Sequence, residues 1–217
     1  MAHGGLDHLA WEPTKKRLNV EIRMNTAATA EMLKAEQFDE AVIALGSKFR
    51  TLPIPGLTTE NSCNAVEAYE KYSDMLEKVA IIGGSETGTE MGIFLAEQGH
   101  KAHVLTRQGM LCPETPHSHY VITIMDYFKA NPNFSYTTFV KQYLAFENGT
   151  LCYMDKSGDI RYIEADYVVV CAGSRPLHQE AISFDGCANR IHYIGDCITQ
   201  GNVHDATLAA WRPANQI

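Results

Sequence analysis

Gly83-Gly84-Ser85-Glu86-Thr87-Gly88 is the stretch of this sequence best suited to hold a phosphate. It follows the apolar run KVAII and opens a helical pattern, the context in which a glycine-rich turn carries meaning. Gly83 permits a sharp turn, and Gly88 lets helix and strand approach closely. The helix start offers backbone N–H groups and a positive dipole end to a pyrophosphate. The middle position, where glycine normally lets the backbone touch the pyrophosphate, is Ser85, a small residue able to donate a hydrogen bond. The competing reading is a tight turn in a sheet that binds nothing; the full strand-turn-helix-strand context favours binding.

Further candidates extend that site. The strand KAHVLTR should end near an adenosine ribose, where an acidic residue would accept the 2′-hydroxyl of NAD. Thr106 and Arg107 stand there instead, and Arg107 could pair with a 2′-phosphate, which leans toward NADPH over NADH. The turn Gly195-Asp196 places a carboxylate at a strand end, suited to a ribityl hydroxyl of a flavin, although such a pair is more often only a turn. Cys112, His117 and His119 could suggest a metal, but two prolines and the lack of a fourth ligand favour an ordinary loop, so no metal is expected. The six cysteines show no two-residue spacing of a redox dithiol, a zinc site or an iron–sulfur loop. Cys171, in the run YVVVCAG, reads as a small buried hydrophobe. No acid, base or nucleophile constellation stands out, so no catalytic side chain is assigned.

The elements that must position these residues read as α/β. Val20 to Met24 reads as a short strand leading to a helix, and FDEAVIALGS as a buried strand ending in glycine, Gly46. TLPIPGL breaks regular structure, Asn61 to Lys71 resumes a helical pattern, and a boundary is expected near residue 72. From Lys78, strand, helix (Glu86 to Gln98) and strand make a βαβ unit of roughly 30 residues, which implies a parallel sheet. SHYVITIMDYFKANP reads as an amphipathic helix ended by proline. The stretch from FSYTTFV to YIEA alternates across Asn148-Gly149 and Ser157-Gly158, the pattern of an antiparallel β meander. DYVVVCAGSRP then repeats the glycine-ended strand at Gly173, and the tail gives a strand from His192 to Ile194, a turn, and a helix that Pro213 should interrupt.

Composition bounds the rest. With 217 residues, 45% hydrophobic and 20% charged, the chain has the profile of a soluble globular protein with no membrane span. A net charge of −8 repels phosphate backbones and argues against nucleic acid. The start MAHGGLDHLAWEP lacks the apolar core of a signal peptide, which points to the cytoplasm.

AIIGGSETGTEMGIFLAEQGHKAHVLTRQ resembles the NAD(P)H-binding segment of the 2-enoate reductase and 2,4-dienoyl-CoA reductase group. AVIALGS, VVVCAGSRP and YIGDCITQGNVHDATLAAW match, in order, the glycine-ended strands and terminal FAD turn of flavoproteins with two dinucleotide-binding domains. The resemblance implies a Rossmann-like module binding FAD and NADPH or NADH. An FAD half would cover residues 1–72 and 179–217, with an NAD(P)H unit at 73–178. Gly83, Ser85 and Gly88 would hold the nucleotide pyrophosphate and Glu90 would lie near the nicotinamide. Gly46, Gly195 and Asp196 would line FAD, Gly173 would also bind cofactor, and Val203 and His204 would approach the isoalloxazine. It further implies a partner, an FMN and iron–sulfur barrel domain of a longer polypeptide, that reduces an activated double bond. The family's first FAD strand would precede residue 1, and Trp211 stands where the family has glycine, so an incomplete FAD site is expected. A nucleotide-binding fragment without turnover, and a module of another flavin dehydrogenase branch, are the alternatives; the missing dithiol disfavours a thioredoxin reductase.

Overall fold

A computed structural model describes residues 20–114 and 119–216. The stretch MAHGGLDHLAWEP and His117 lie outside the described residues. In chain order the elements are α1 (Ala30–Glu36), β1 (Glu40–Ile43), β2 (Ser47–Phe49), β3 (Ser62–Asn64), α2 (Ala65–Lys71), β4 (Lys78–Ile82), α3 (Glu86–Glu97) and β5 (Lys101–Leu105). Next come α4 (His119–Ala130), β6 (Phe134–Thr137), β7 (Gln142–Glu147), β8 (Thr150–Met154), β9 (Ile160–Glu164) and β10 (Tyr167–Val170). The chain closes with β11 (Ser174–Pro176), α5 (His178–Ile182), β12 (Arg190–Tyr193) and α6 (Val203–Ala214).

The largest sheet is parallel throughout, in the order β3-β10-β4-β5-β6. Its central strands KVAII and YVVV are apolar at nearly every position because both faces are covered. Val79, Ile81, Val104 and Val169 face Met91 and Leu95 of α3 and Ala65 and Ala68 of α2. Ala80, Ile82, Leu105 and Val168 face Phe146, Leu151 and Tyr153 of the antiparallel sheet β7-β8-β9. Asn148 and Gly149 both take positive φ, 51° and 70°, the mirror-image turn that joins β7 to β8 as their sequence expects. Asn64 closes α2 with a capping box, and Gly99, at φ 96°, ends the α3 turn.

A second, smaller layer pairs β1 with β12 in parallel, with Ala41, Ile43, Phe184, Cys187 and Cys197 packed beneath. The antiparallel pair β2-β11 runs between it and the large sheet.

Four local expectations are corrected. Val20 to Met24 forms no strand: these residues are exposed and pair with no strand among the described residues, so nothing satisfies a ladder there. Ser62–Asn64 is a strand, so the helix starts at Ala65 rather than Asn61; pairing with β10 overrides the helical pattern. Phe134–Thr137 joins the parallel sheet beside β5 instead of the meander, because Phe134 is buried against Gly92 and Val104. Pro213 lies inside α6, which ends one residue later; so near the C-terminal end its missing N–H costs only one intrahelical bond. All six cysteines are free thiols.

Candidate functional site

The Gly83–Gly88 turn joins β4 to α3 at the carboxyl edge of the parallel sheet, where open α/β sheets take ligands. Its glycines are required by contact. A Cβ on Gly83, at φ 120°, would sit 2.2 Å from the Cys171 carbonyl oxygen, and one on Gly88 would sit 1.9 Å from that of Gly83. A Cβ on Gly84 would meet Thr106 Cβ at 2.7 Å and Leu111 Cδ2 at 2.8 Å. The turn is held from below: Gly84 O accepts Cys112 N–H at 2.8 Å and Thr89 Oγ1–H at 3.3 Å, while Gly83 N–H donates to Leu105 O at 2.9 Å. Ser85 is the N-cap of α3 but makes no side-chain cap, whereas Asn64 and Asn202 close α2 and α6 with capping boxes. The α3 N-terminus is thus the one built without a side chain folded over it among these three, and its dipole points into the open edge.

Two crevices lie against this turn. The first, 570 Å³, is lined by Gly83, Gly84, Ser85, Thr106, Arg107 and Tyr143 among others. The second, 680 Å³, is lined by Ser47, Glu86, Thr87, Ser174, Asp196 and Gln200 among others. They share Ser85, Glu114, Cys171 and Gly173, so they meet at the α3 N-terminus and the end of β10. Cys171 is buried as expected, and it also forms the seam; burial pushes its thiol up to about 12, which keeps it neutral. Tyr143 donates its hydroxyl to Leu105 O at 2.9 Å, and burial pushes it above the usual phenol range.

The second crevice has a polar chain. Ser174 Oγ–H donates to Ser47 Oγ at 2.8 Å, Ser47 Oγ–H reaches Asp196 Oδ2 at 3.5 Å, and Gln200 Nε2 donates to Ser174. Asp196 Oδ1 also accepts Gly201 N–H at 3.4 Å. Gly46, Gly173 and Gly195 take positive φ of 76°, 79° and 69°, each turning the chain after a strand.

The expected site residues therefore divide. Gly83, Gly84, Ser85, Thr106 and Arg107 gather on the first crevice, and Ser85, Glu86, Thr87, Gly173 and Asp196 on the second. Gly88 supports the turn from within. Gly195 lines a neighbouring depression with Leu208 and Arg212. Gly46 turns the chain into β2, Glu90 lies on the exposed side of α3, and Val203 and His204 are exposed at the start of α6; these four line neither crevice. Cys112 is buried with its N–H on Gly84 O, a structural use, and no group of three metal-ligating side chains occurs among the described residues. Sequence reasoning missed Arg50, Lys141 and Tyr143 on the first crevice and Ser47, Ser174 and Gln200 on the second. The serines had a legible signal, since each follows a glycine that ends a buried strand, in ALGS and CAGS.

The family model described as pyridine nucleotide-disulphide oxidoreductase matches residues 12–195. The chain is 30% identical over 95% of its length to cinnamate reductase of Clostridium sporogenes, of which it spans 31%. It is 26% identical over 95% of its length to NADH oxidase of Thermoanaerobacter brockii, of which it spans 32%. A solved 2-naphthoyl-CoA reductase superposes on 94% of the chain with a TM-score of 0.81 and 26% identity, the chain spanning 31% of it. The chain thus spans about a third of the length of these relatives. No helix among the described residues is long and apolar enough to cross a membrane. The chain belongs to the pyridine nucleotide-disulphide oxidoreductase family, as a domain like those of the 2-enoate and dienoyl reductase type of flavoenzyme.

Proposed function

We propose that this chain binds NAD(P)H in the first crevice and FAD at the second, and passes hydride from one to the other. The observation that carries this reading is that both crevices open onto one uncapped, glycine-cradled helix start and share its Ser85. The residues fit a nucleotide: Gly83, Gly84 and Gly88 let strand, helix and neighbouring segments close tightly around the turn, since a Cβ at each would strike protein atoms, and the start of α3 has no side-chain cap over the backbone N–H groups that a pyrophosphate would take. Asp196, Ser47 and Ser174 offer the acceptors and donors that flavin hydroxyls need.

Bound nicotinamide and flavin supply the hydride chemistry themselves. The chain orients them: Thr106 and Leu111 pack on Gly84 and fix the turn, and neutral Cys171 separates the two crevices without acting as a nucleophile. No side chain needs to act as acid or base. We place the FAD half at residues 1–72 and 179–217 and the NAD(P)H unit at 73–178; the pairing of β1 with β12 supports the former, while β3 and α2, inside residues 1–72, pack with the larger sheet. A longer polypeptide carrying an FMN and iron–sulfur barrel, in the cytoplasm, would use the electrons to reduce an enoate or dienoyl double bond; the span of about a third of the relatives supports the longer polypeptide. A second reading, nucleotide binding without turnover, is favoured by the FAD-side layer having only two strands among the described residues.

Thr87 is exposed in the first turn of α3. Replacing it with glutamate leaves the helix at no disadvantage but sets a negative charge on the second-crevice side of the helix start, two residues from Ser85, which both crevices share and where the pyrophosphate would lie. Titration of the intact protein with NADPH and NADH, followed by nicotinamide fluorescence, should show binding that T87E weakens by roughly tenfold or more. Binding of neither nucleotide by the unaltered protein would mark the segment as a tight turn only.

A further inference from the structure

Resting on the reading of the first crevice as the nucleotide site, we infer that Lys141 and Arg107 together form a 2′-phosphate subsite, with Lys141 setting the preference for NADPH. Arg107 follows β5 and Lys141 lies in the connection from β6 to β7, and both line the crevice. Backbone pairing brings the two segments side by side: Val140 N–H donates to Thr106 O and Phe139 N–H to Gln108 O, each at 2.9 Å. Neither Arg107 nor Lys141 makes an ion pair among the described residues, although the chain carries a net charge of −8. Arg50, held by Ser174 O at 3.0 Å through its Nε–H, adds a third cation to the same crevice, against Glu114 as the one carboxylate among the described residues that line it.

That carboxylate is on the wrong side for a ribose. Glu114 also lines the second crevice and so lies at the seam, while the position after β5 is Thr106, buried and accepting Gln108 N–H at 3.2 Å. Among the described residues the position after β5 therefore offers no carboxylate for a 2′-hydroxyl, while Arg107 and Lys141 offer two cations for a 2′-phosphate.

The backbone commits to this arrangement. Phe139 sits at φ 58°, in the left-handed region that an aromatic residue enters at a cost. Its ring caps Gly109, where a Cβ would lie 2.6 Å from Phe139 Cζ, and the Lys156 ammonium lies 5.9 Å from the ring centroid on the meander side. The clamp holds the loop carrying Arg107 against the segment carrying Lys141.

The test is calorimetric titration of the intact protein with NADPH and NADH, and with adenosine 2′,5′-bisphosphate and 5′-AMP as probes lacking the nicotinamide. The unaltered protein should prefer the 2′-phosphorylated member of each pair, and that preference should shrink as ionic strength rises. Lys141→Gln should cut the NADPH-to-NADH affinity ratio roughly tenfold, Arg107→Gln at least as much, and Lys141→Arg should restore it. The ratio cancels any general loss of folded protein. A preference for NADH, or a ratio that Lys141→Gln leaves in place, would overturn the inference while leaving the nucleotide site standing. Failure of all four probes to bind would remove that site as well, and the inference with it.

Discussion

Gly88 shows how little room the nucleotide turn has. The methyl of an alanine there would fall 1.9 Å from the Gly83 carbonyl oxygen and 3.1 Å from Cys171 Cβ, so helix α3 must be pushed off the strands it packs on. Gly88→Ala should lower stability by about 1–3 kcal/mol, the range of overpacked cores, measured by urea unfolding. Nucleotide affinity should fall with it, because the turn and the packing share this atom. At this scale the glycines and Arg107 were legible because their demands are local: a turn, a close approach, a strand end. Lys141, Arg50 and Tyr143 were not, since they reach the crevice from segments that only the sheet order brings beside β5. Glu90, Val203 and His204 mark the reverse case, residues that a family resemblance nominated and that line neither crevice in this chain.

Among the elements, the β5–β6 pair carries a half-buried histidine. His103, facing Ser135 in the parallel register, has Nδ1 2.7 Å from Ser135 Oγ and Nε2 2.9 Å from Thr137 Oγ1. Burial lowers its pKa from 6.5 to about 4. The unfolded chain takes up the proton more readily, so the stability this neutral ring contributes is complete above pH 6.5 and is lost as pH falls toward 4. His103→Gln should flatten the fall in Tm across that window, measured by thermal unfolding at a series of pH values. The capping box of α2 gives a second test: Asn64→Ala should cost about 1 kcal/mol. Elements with strong periodicity and clear stops, α3, β4, β5 and the meander, were readable because local pattern and packing agree. Phe134–Thr137 and Ser62–Asn64 were not, because their strand form depends on neighbours far away in sequence, β5 and β10.

Across the whole molecule, two layers of unequal size meet at one helix start. The larger layer has a five-stranded sheet covered on both faces, and the smaller a two-stranded sheet backed by α1 and α5. The fold class followed from the order of elements, while the meeting of the crevices at Ser85, Glu114, Cys171 and Gly173 required the packing of β10 beside β4 and of β11 beside β2. That junction gives the account its central claim, that hydride crosses from one crevice to the other. The most direct test is the visible absorbance of the intact protein loaded with FAD under anaerobic conditions, recorded before and after one equivalent of NADPH and, separately, NADH. The account predicts that the oxidised flavin band bleaches with at least one of the two. A flavin that is bound yet stays oxidised with both nucleotides would contradict it.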